Sequence, residues 1–112
     1  MDKLAVITKT KNLMEYILTI TKKSDVKYRF TFVNKMHNLC MEIIENLYSA
    51  NFTRLGNEKR NEYQVNAQAK LHYLDFVCEM AKNSKMFEDA SIIIYSKKYF
   101  RVYQFIIWMD EK

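Results

Sequence analysis

This chain of 112 residues has a net charge of +5, no proline and one glycine, Gly56. Its length predicts a single domain, residues 1–112, and 49% hydrophobic with 28% charged residues excludes a disordered or membrane-embedded class. No apolar run approaches the roughly 20 residues of a membrane span, and Leu4–Ile7 is too short for a signal-peptide core, so we expect a cytoplasmic protein.

The first predicted helix runs from about Asn12 to Lys22. Leu13, Ile17 and Ile20 recur at the spacing of an amphipathic helix, which places them on one face. The pattern leaves open whether Leu4–Ile7 extends this helix.

The second predicted helix runs from about Asp25 to Ala50, with Ser24 as its N-cap. It carries two adjacent apolar rows. The first, at alternating steps of three and four, is Val33, Met36, Cys40, Ile43, Leu47 and Ala50; the second is Phe30, His37, Met41, Ile44 and Tyr48. One row suffices to pack a helix within a bundle, so two rows predict that the second is buried against another subunit.

The third predicted helix, about Glu58 to Lys82, follows a turn at residues 51–57. Its predicted core positions are Ala67, Leu71, Leu74, Cys78 and Ala81. Residues 83–95 are interpreted as the end of this helix plus a connection, because the β-branched run Ile92–Ile94 has no second strand to pair with. Ser96 then caps a fourth helix to about Asp110. Short connections between the four helices predict an all-α, antiparallel four-helix bundle with up-down-up-down topology.

No pattern in the chain indicates an enzyme. A single glycine excludes a phosphate-binding loop and a dinucleotide fingerprint, and no Glu-x-x-His pair suggests a di-iron site. A metal site from His37, Cys40, His72 and Cys78 is disfavoured because the last two are six residues apart and point away from each other. We therefore expect no catalytic residue, no metal and no cofactor, and two reduced core thiols.

The positive charge is unevenly distributed. Residues 1–35 hold eight basic and three acidic residues, whereas the rest of the chain holds ten of each. Lys27, Arg29 and Lys35 lie in the N-terminal half of the second helix, where the helix dipole disfavours cations. Either their long side chains simply reach solvent, or this end of the helix faces a polyanion.

Basic and aromatic residues alternate at residues 27–30 and 97–103. Such alternation is typical both of ordinary helix packing and of single-stranded nucleic-acid binding, in which bases stack on rings while cations contact phosphates.

Several segments of residues 13–82 together resemble one known family of small four-helix bundles. The segments are YILTITKKS (16–24), KYRFTF (27–32), NLCMEIIENLYSAN (38–51), EYQ (62–64) and KLHYLDF (70–76). They are similar to the accessory variability determinant of diversity-generating retroelements and to the related 23S rRNA intervening-sequence proteins.

The resemblance implies a homopentameric barrel without enzymatic activity. In the retroelement branch, such a protein associates with the element's reverse transcriptase and binds RNA or DNA during mutagenic reverse transcription. In the intervening-sequence branch, the alternative, it is a self-assembling scaffold for protein interactions. The resemblance carries over Lys27, Arg29, Lys35 and Lys70 as binding residues, and the full set of expected binding residues is Lys22, Lys23, Lys27, Arg29, Lys35, Lys70 and His72. This chain departs from its relatives in having Val65, Asn66 and His72 where they carry more Lys or Arg, and in lacking a C-terminal Leu-Gly-x-Trp segment.

Overall fold

A computed structural model describes residues 3–54 and 56–110 of the chain, with side chains described for residues 5–54 and 56–107. Four α-helices make up most of this part: α1 (Lys3–Lys22), α2 (Asn34–Phe52), α3 (Glu58–Asn83) and α4 (Asp89–Asp110). A 3₁₀ turn, Val26–Tyr28, and a π-helical turn, Arg29–Val33, join α1 to α2. The described residues contain no strand, which confirms the prediction of an all-α fold with four helices.

Helix α1 begins well before the predicted Asn12. Val6, Thr10, Leu13, Ile17 and Thr21 form one continuous buried stripe along it. The hydropathy pattern missed this stripe because two of its members, Thr10 and Thr21, are polar residues. Their hydroxyls donate to the carbonyls of Val6 and Ile17, at 2.8 and 2.7 Å, so each buried hydroxyl is satisfied within the helix.

The start of the second predicted helix is wrong. Asp25, rather than Ser24, is the N-cap, and its Oδ1 accepts from the backbone N–H of Lys27 at 3.3 Å. The chain then passes through the 3₁₀ and π-helical turns before regular α-helix begins at Asn34. The Tyr28 hydroxyl donates to the Ser84 carbonyl at 3.0 Å, which ties the junction to the end of α3.

Helix α3 closely matches its predicted bounds. Asn57 is its N-cap, and its Oδ1 accepts from the Lys59 N–H at 2.9 Å. The helix ends with Lys85 in the left-handed region, at φ +61°, and the N–H groups of Lys85 and Met86 donate to the carbonyls of Lys82 and Ala81. This is the bonding of a Schellman C-cap, with lysine where glycine is usual.

Residues 83–88 are the end of α3 and a connection, as predicted, but α4 begins at Asp89, so the assignment of residues 89–95 to the connection and of Ser96 as an N-cap is wrong. The Ile92 N–H donates to the Glu88 carbonyl at 3.2 Å, and Ser96 lies exposed within the helix. β-branched residues disfavour a helix only slightly. Burial of the adjacent Tyr95 in the core outweighs that preference.

The core lies between all four helices, with its largest interface between α2 and α3. Helix α1 packs on α2 and α4, and α3 packs on α4. All five predicted core positions of α3 are buried, and α2 buries Met36, Leu39, Cys40, Ile43, Leu47 and Ala50, whereas Val33 is only half-buried. Hydrophobic spacing therefore predicted the central pair of helices almost residue by residue.

The strained cap at Lys85 predicts that Lys85→Gly stabilises the protein. A side chain at positive φ costs about 1 kcal/mol, which glycine avoids, although glycine loses more backbone entropy on folding. We expect a net gain of about 0.5 kcal/mol in the free energy of unfolding, measured by urea denaturation. Lys85→Ala keeps the strain and should show no gain; an equal gain in both variants would contradict a backbone origin.

Candidate nucleic-acid interface

Few of the basic side chains are neutralised within the fold. Among the described residues, only two ion pairs form: Lys70 Nζ to Glu42 Oε2 at 3.0 Å, and Lys11 Nζ to Glu15 Oε1 at 4.0 Å. The other described Lys and Arg side chains have no described carboxylate within 4.0 Å. Their positive potential is therefore available to an external anion.

Four predicted residues, which we call the junction cluster, lie where α1 passes into α2. They are Lys22, Lys23, Lys27 and Arg29, and all four are exposed. Lys22 and Arg29 line the same pocket of about 330 Å³ with Asp25 and His37. The Lys27 ammonium lies 5.1 Å from the centre of the Tyr28 ring, a cation–π distance.

Lys23 is separated from Lys22 although the two are adjacent in sequence. Consecutive residues of a helix point about 100° apart. Lys23 accordingly lines a different pocket, of about 160 Å³, against the α3–α4 connection, and Glu88 lines it too. The junction cluster thus occupies two sides of α1.

The remaining predicted residues lie elsewhere. The Lys35 ammonium is 5.1 Å from the Tyr73 ring centre on α3, and Lys70 is held by Glu42 of α2. His72 points away from Lys70 and meets Tyr103 of α4 edge-on, at 5.5 Å between ring centroids. The seven predicted residues therefore do not form one continuous surface, because Lys70 and His72 face opposite neighbours of α3.

A second basic surface, which we call the α1–α4 groove, was not among the predicted sites. It is a pocket of about 270 Å³ lined by Lys9, Asn12, Ile94, Lys97, Lys98 and Arg101. Four of these six residues are cationic and none is acidic. The Lys98 ammonium also lies 5.7 Å from the ring centre of Tyr16.

The sequence contains a signal for this groove. Ile94, Lys97, Lys98 and Arg101 follow the i, i+3, i+4, i+7 spacing of one helix face. The prediction missed it because Ile94 was assigned to a connection and Lys9 preceded the predicted start of the first helix. With both helices at their observed lengths, Lys9 of α1 faces the basic stripe of α4 across the groove.

His37 contributes no charge to the junction pocket. The Thr21 hydroxyl donates its proton to the Ile17 carbonyl, so its oxygen accepts from His37 Nε2–H at 3.0 Å. Partial burial lowers the pKa of His37 below its ordinary 6.5, which keeps the ring neutral at pH 7.

The two cysteines lie in the core, one on α2 and one on α3. Burial raises the pKa of Cys40 and of Cys78 to about 12, so neither is a thiolate nucleophile near neutral pH. Beside Cys78, the Tyr95 hydroxyl donates to Asp75 Oδ1 at 3.2 Å, and burial raises the pKa of Tyr95 well above its usual range. The described residues bring no three His, Cys, Asp or Glu side chains together as metal ligands.

Comparison with known proteins does not assign this chain to a family. No family model, curated protein or solved structure matches the chain. The resemblance to the retroelement accessory proteins therefore stays a prediction from the segments quoted above. Within the part of the chain that the structure describes, no helix combines the length and hydropathy needed to cross a bilayer.

The buried thiols predict that stability decreases in alkaline solution. In the unfolded chain the thiols lose their protons near pH 9, whereas in the folded protein burial keeps them protonated to about pH 12. The folded state then binds more protons, so stability is complete below pH 9 and falls above it, by about 1 kcal/mol per thiol at pH 10.

Urea denaturation between pH 7.5 and 10 measures this slope. Cys40→Ala and Cys78→Ala should each flatten it, even if they lower stability at pH 7.5 by leaving a small cavity. Slopes that are equal in wild type and both variants would contradict the thiol origin.

Proposed function

We propose that this chain is a non-enzymatic nucleic-acid-binding accessory protein that associates with the reverse transcriptase of a diversity-generating retroelement. The observation that carries the binding role is the set of exposed or half-buried cations with no described carboxylate within 4.0 Å, at the junction cluster and in the α1–α4 groove. The link to a reverse transcriptase rests on the family resemblance alone.

Phosphate contacts are the mode of binding that this surface fits best. The cations are long side chains, exposed except for the half-buried Lys9 and Lys98, and such groups neutralise a phosphate backbone without reading base edges. Affinity should therefore fall steeply with salt and vary little with sequence. The cation–π contacts of Lys27 and Lys35 hold two of these ammonium groups near aromatic rings while leaving them exposed.

We also propose an antiparallel, up-down-up-down bundle. Arg60, at the start of α3, donates to the carbonyls of Ala50 and Thr53 at the end of α2, each at 3.3 Å. The Tyr28–Ser84 bond joins the opposite ends of that pair. Both contacts support opposite directions for α2 and α3.

Self-association into a homopentameric ring is the third part of the proposal. Three of the five residues of the second predicted row are exposed in the single chain: Phe30 at 82%, Met41 at 57% and Tyr48 at 46%. The other two, His37 and Ile44, are half-buried. Exposed apolar area of this kind is typical of a surface that another subunit covers. A ring would also repeat the junction cluster around one axis and so multiply its field.

The scaffold alternative, an intervening-sequence-type protein whose partners are proteins, also has support. Helix α3 has its own exposed apolar side chains, Tyr73, Phe76 and Met80, which the row on α2 does not account for. Such a surface fits a protein partner better than it fits phosphate. Nucleic-acid binding separates the two functions.

Charge reversal tests the binding role. We expect Lys27→Glu, Arg29→Glu and Lys35→Glu together to abolish the gel shift of RNA and DNA at about 50 mM salt, because three phosphate contacts become repulsions. Helicity by circular dichroism and oligomer size by light scattering should be unchanged.

The matched control reverses Lys59, Lys82 and Lys85 to Glu, an identical change in net charge on α3 and at its C-terminus. We expect it to retain the shift. Equal loss in both triple variants would show that only total charge matters, and no shift with wild type would refute the nucleic-acid role in favour of the scaffold.

A lysine in the exposed row tests assembly. Met41→Lys and Tyr48→Lys should each reduce the oligomer, since both introduce a charge into an interface that is proposed to be apolar. Light scattering or native mass spectrometry measures the stoichiometry. Val65→Lys, at another exposed apolar position on α3, should leave it unchanged. A monomeric wild type would contradict the ring.

A further inference from the structure

We infer that the α1–α4 groove binds a single strand of nucleic acid, with its cations on the phosphates and Phe100 stacked on a base. This inference rests on the proposed nucleic-acid function and adds to it a site, a strand type and a residue for base contact. It concerns a surface separate from the junction pocket of Lys22 and Arg29.

The charge of the groove defines the chemistry of its ligand. Lys9 of α1 faces Lys97, Lys98 and Arg101 of α4 across a space of about 270 Å³, and no acidic residue lines that space. Two helices thus hold like charges against each other, an arrangement that costs free energy unless an anion lies between them. A chain of phosphates supplies several negative charges along such a groove.

One exposed aromatic residue of α4, Phe100, favours a single strand over a duplex. On the α3 side of α4, Tyr99 pairs with both Tyr95 and Tyr103, at 5.8 and 6.4 Å between ring centroids. Phe100 has no ring partner among the described residues and is 56% exposed. It lies about one helical turn from Lys97, which lines the groove, although Phe100 itself does not line it. An unstacked base can cover this ring, whereas the bases of a duplex are already stacked.

The proposed path of the strand runs along α1. Lys9, Tyr16 and Lys23 are spaced by seven residues and so lie on the same side of the helix. At a rise of 1.5 Å per residue, Lys9 and Lys23 are separated by about 21 Å, the length of about six stacked nucleotides. Glu88 shares the pocket of Lys23 and weakens the field there, so along this side of α1 the four cations of the groove should contribute more to the affinity than Lys23.

Fluorescence anisotropy with labelled 12-nucleotide oligo-dT and oligo-U, at about 50 mM salt, tests the groove. Lys97→Gln with Arg101→Gln should weaken binding at least tenfold and reduce the magnitude of the salt slope by about 1.4, because about 0.7 is lost per single-strand phosphate contact. Lys59→Gln with Lys82→Gln removes the same charge on α3 and should change affinity less than threefold.

Phe100→Ala tests the base contact. We expect a loss of about fivefold or more for the single strand and no change in the salt slope, because stacking does not release counterions. Phe52→Ala removes a ring that is more exposed still, at 85%, and should have no effect. Unfolding curves of all variants should match wild type, since every substituted side chain is at least partly solvated.

Competition identifies the ligand. Unlabelled single strands should displace the probe at lower concentration than a duplex of equal length or inorganic tripolyphosphate. Displacement of the probe by tripolyphosphate at the same concentration as the single strand would overturn the inference. Equal affinity of the groove double variant and the control double variant for the single strand would also overturn it. If wild type binds the strands and the groove variants bind as tightly as the control, the groove inference is refuted and the proposed function stands. If wild type binds no strand, the proposed function is refuted as well.

Discussion

The fold depends on the interlocking of α2 and α3. Cys40, Ile43 and Leu47 of α2 are buried against a helix whose Leu71, Leu74 and Cys78 follow the same alternation of three and four residues. Helices with matched spacing pack side chains into the gaps between their neighbours' side chains over their whole length. The other two helices complete this pair, with α1 on α2 and α4 on α3.

Sequence predicted this central pair well because its burial depends on spacing alone. It predicted the ends of the other helices poorly, and the reasons are specific. The hydroxyls of Thr10 and Thr21 are bonded to their own helix, so they are polar in a hydropathy scale yet suited to the core. Ile92–Ile94 are helical because a neighbouring tyrosine is buried, a contact across the fold that local propensity does not contain.

The candidate site, like the fold, was predicted from the sequence only in part. Sequence identified a surplus of cations in residues 1–35, and most of those with described side chains are exposed. It did not identify their grouping, which depends on the side of α1 that each residue takes. Lys22 and Lys23 are neighbours in the chain and line different pockets. Lys9 and Arg101 are distant in the chain and line the same one.

The π-helical turn at Arg29–Val33 gives the chain a tolerance that a regular helix lacks. A π turn holds one residue more than an α turn, so it absorbs a one-residue difference in length. The angular phase of α2, which its core contacts require, is thereby uncoupled from that of the residues before it. A one-residue insertion or deletion ahead of Asn34 can therefore be accommodated while Met36 and Cys40 keep their positions in the core.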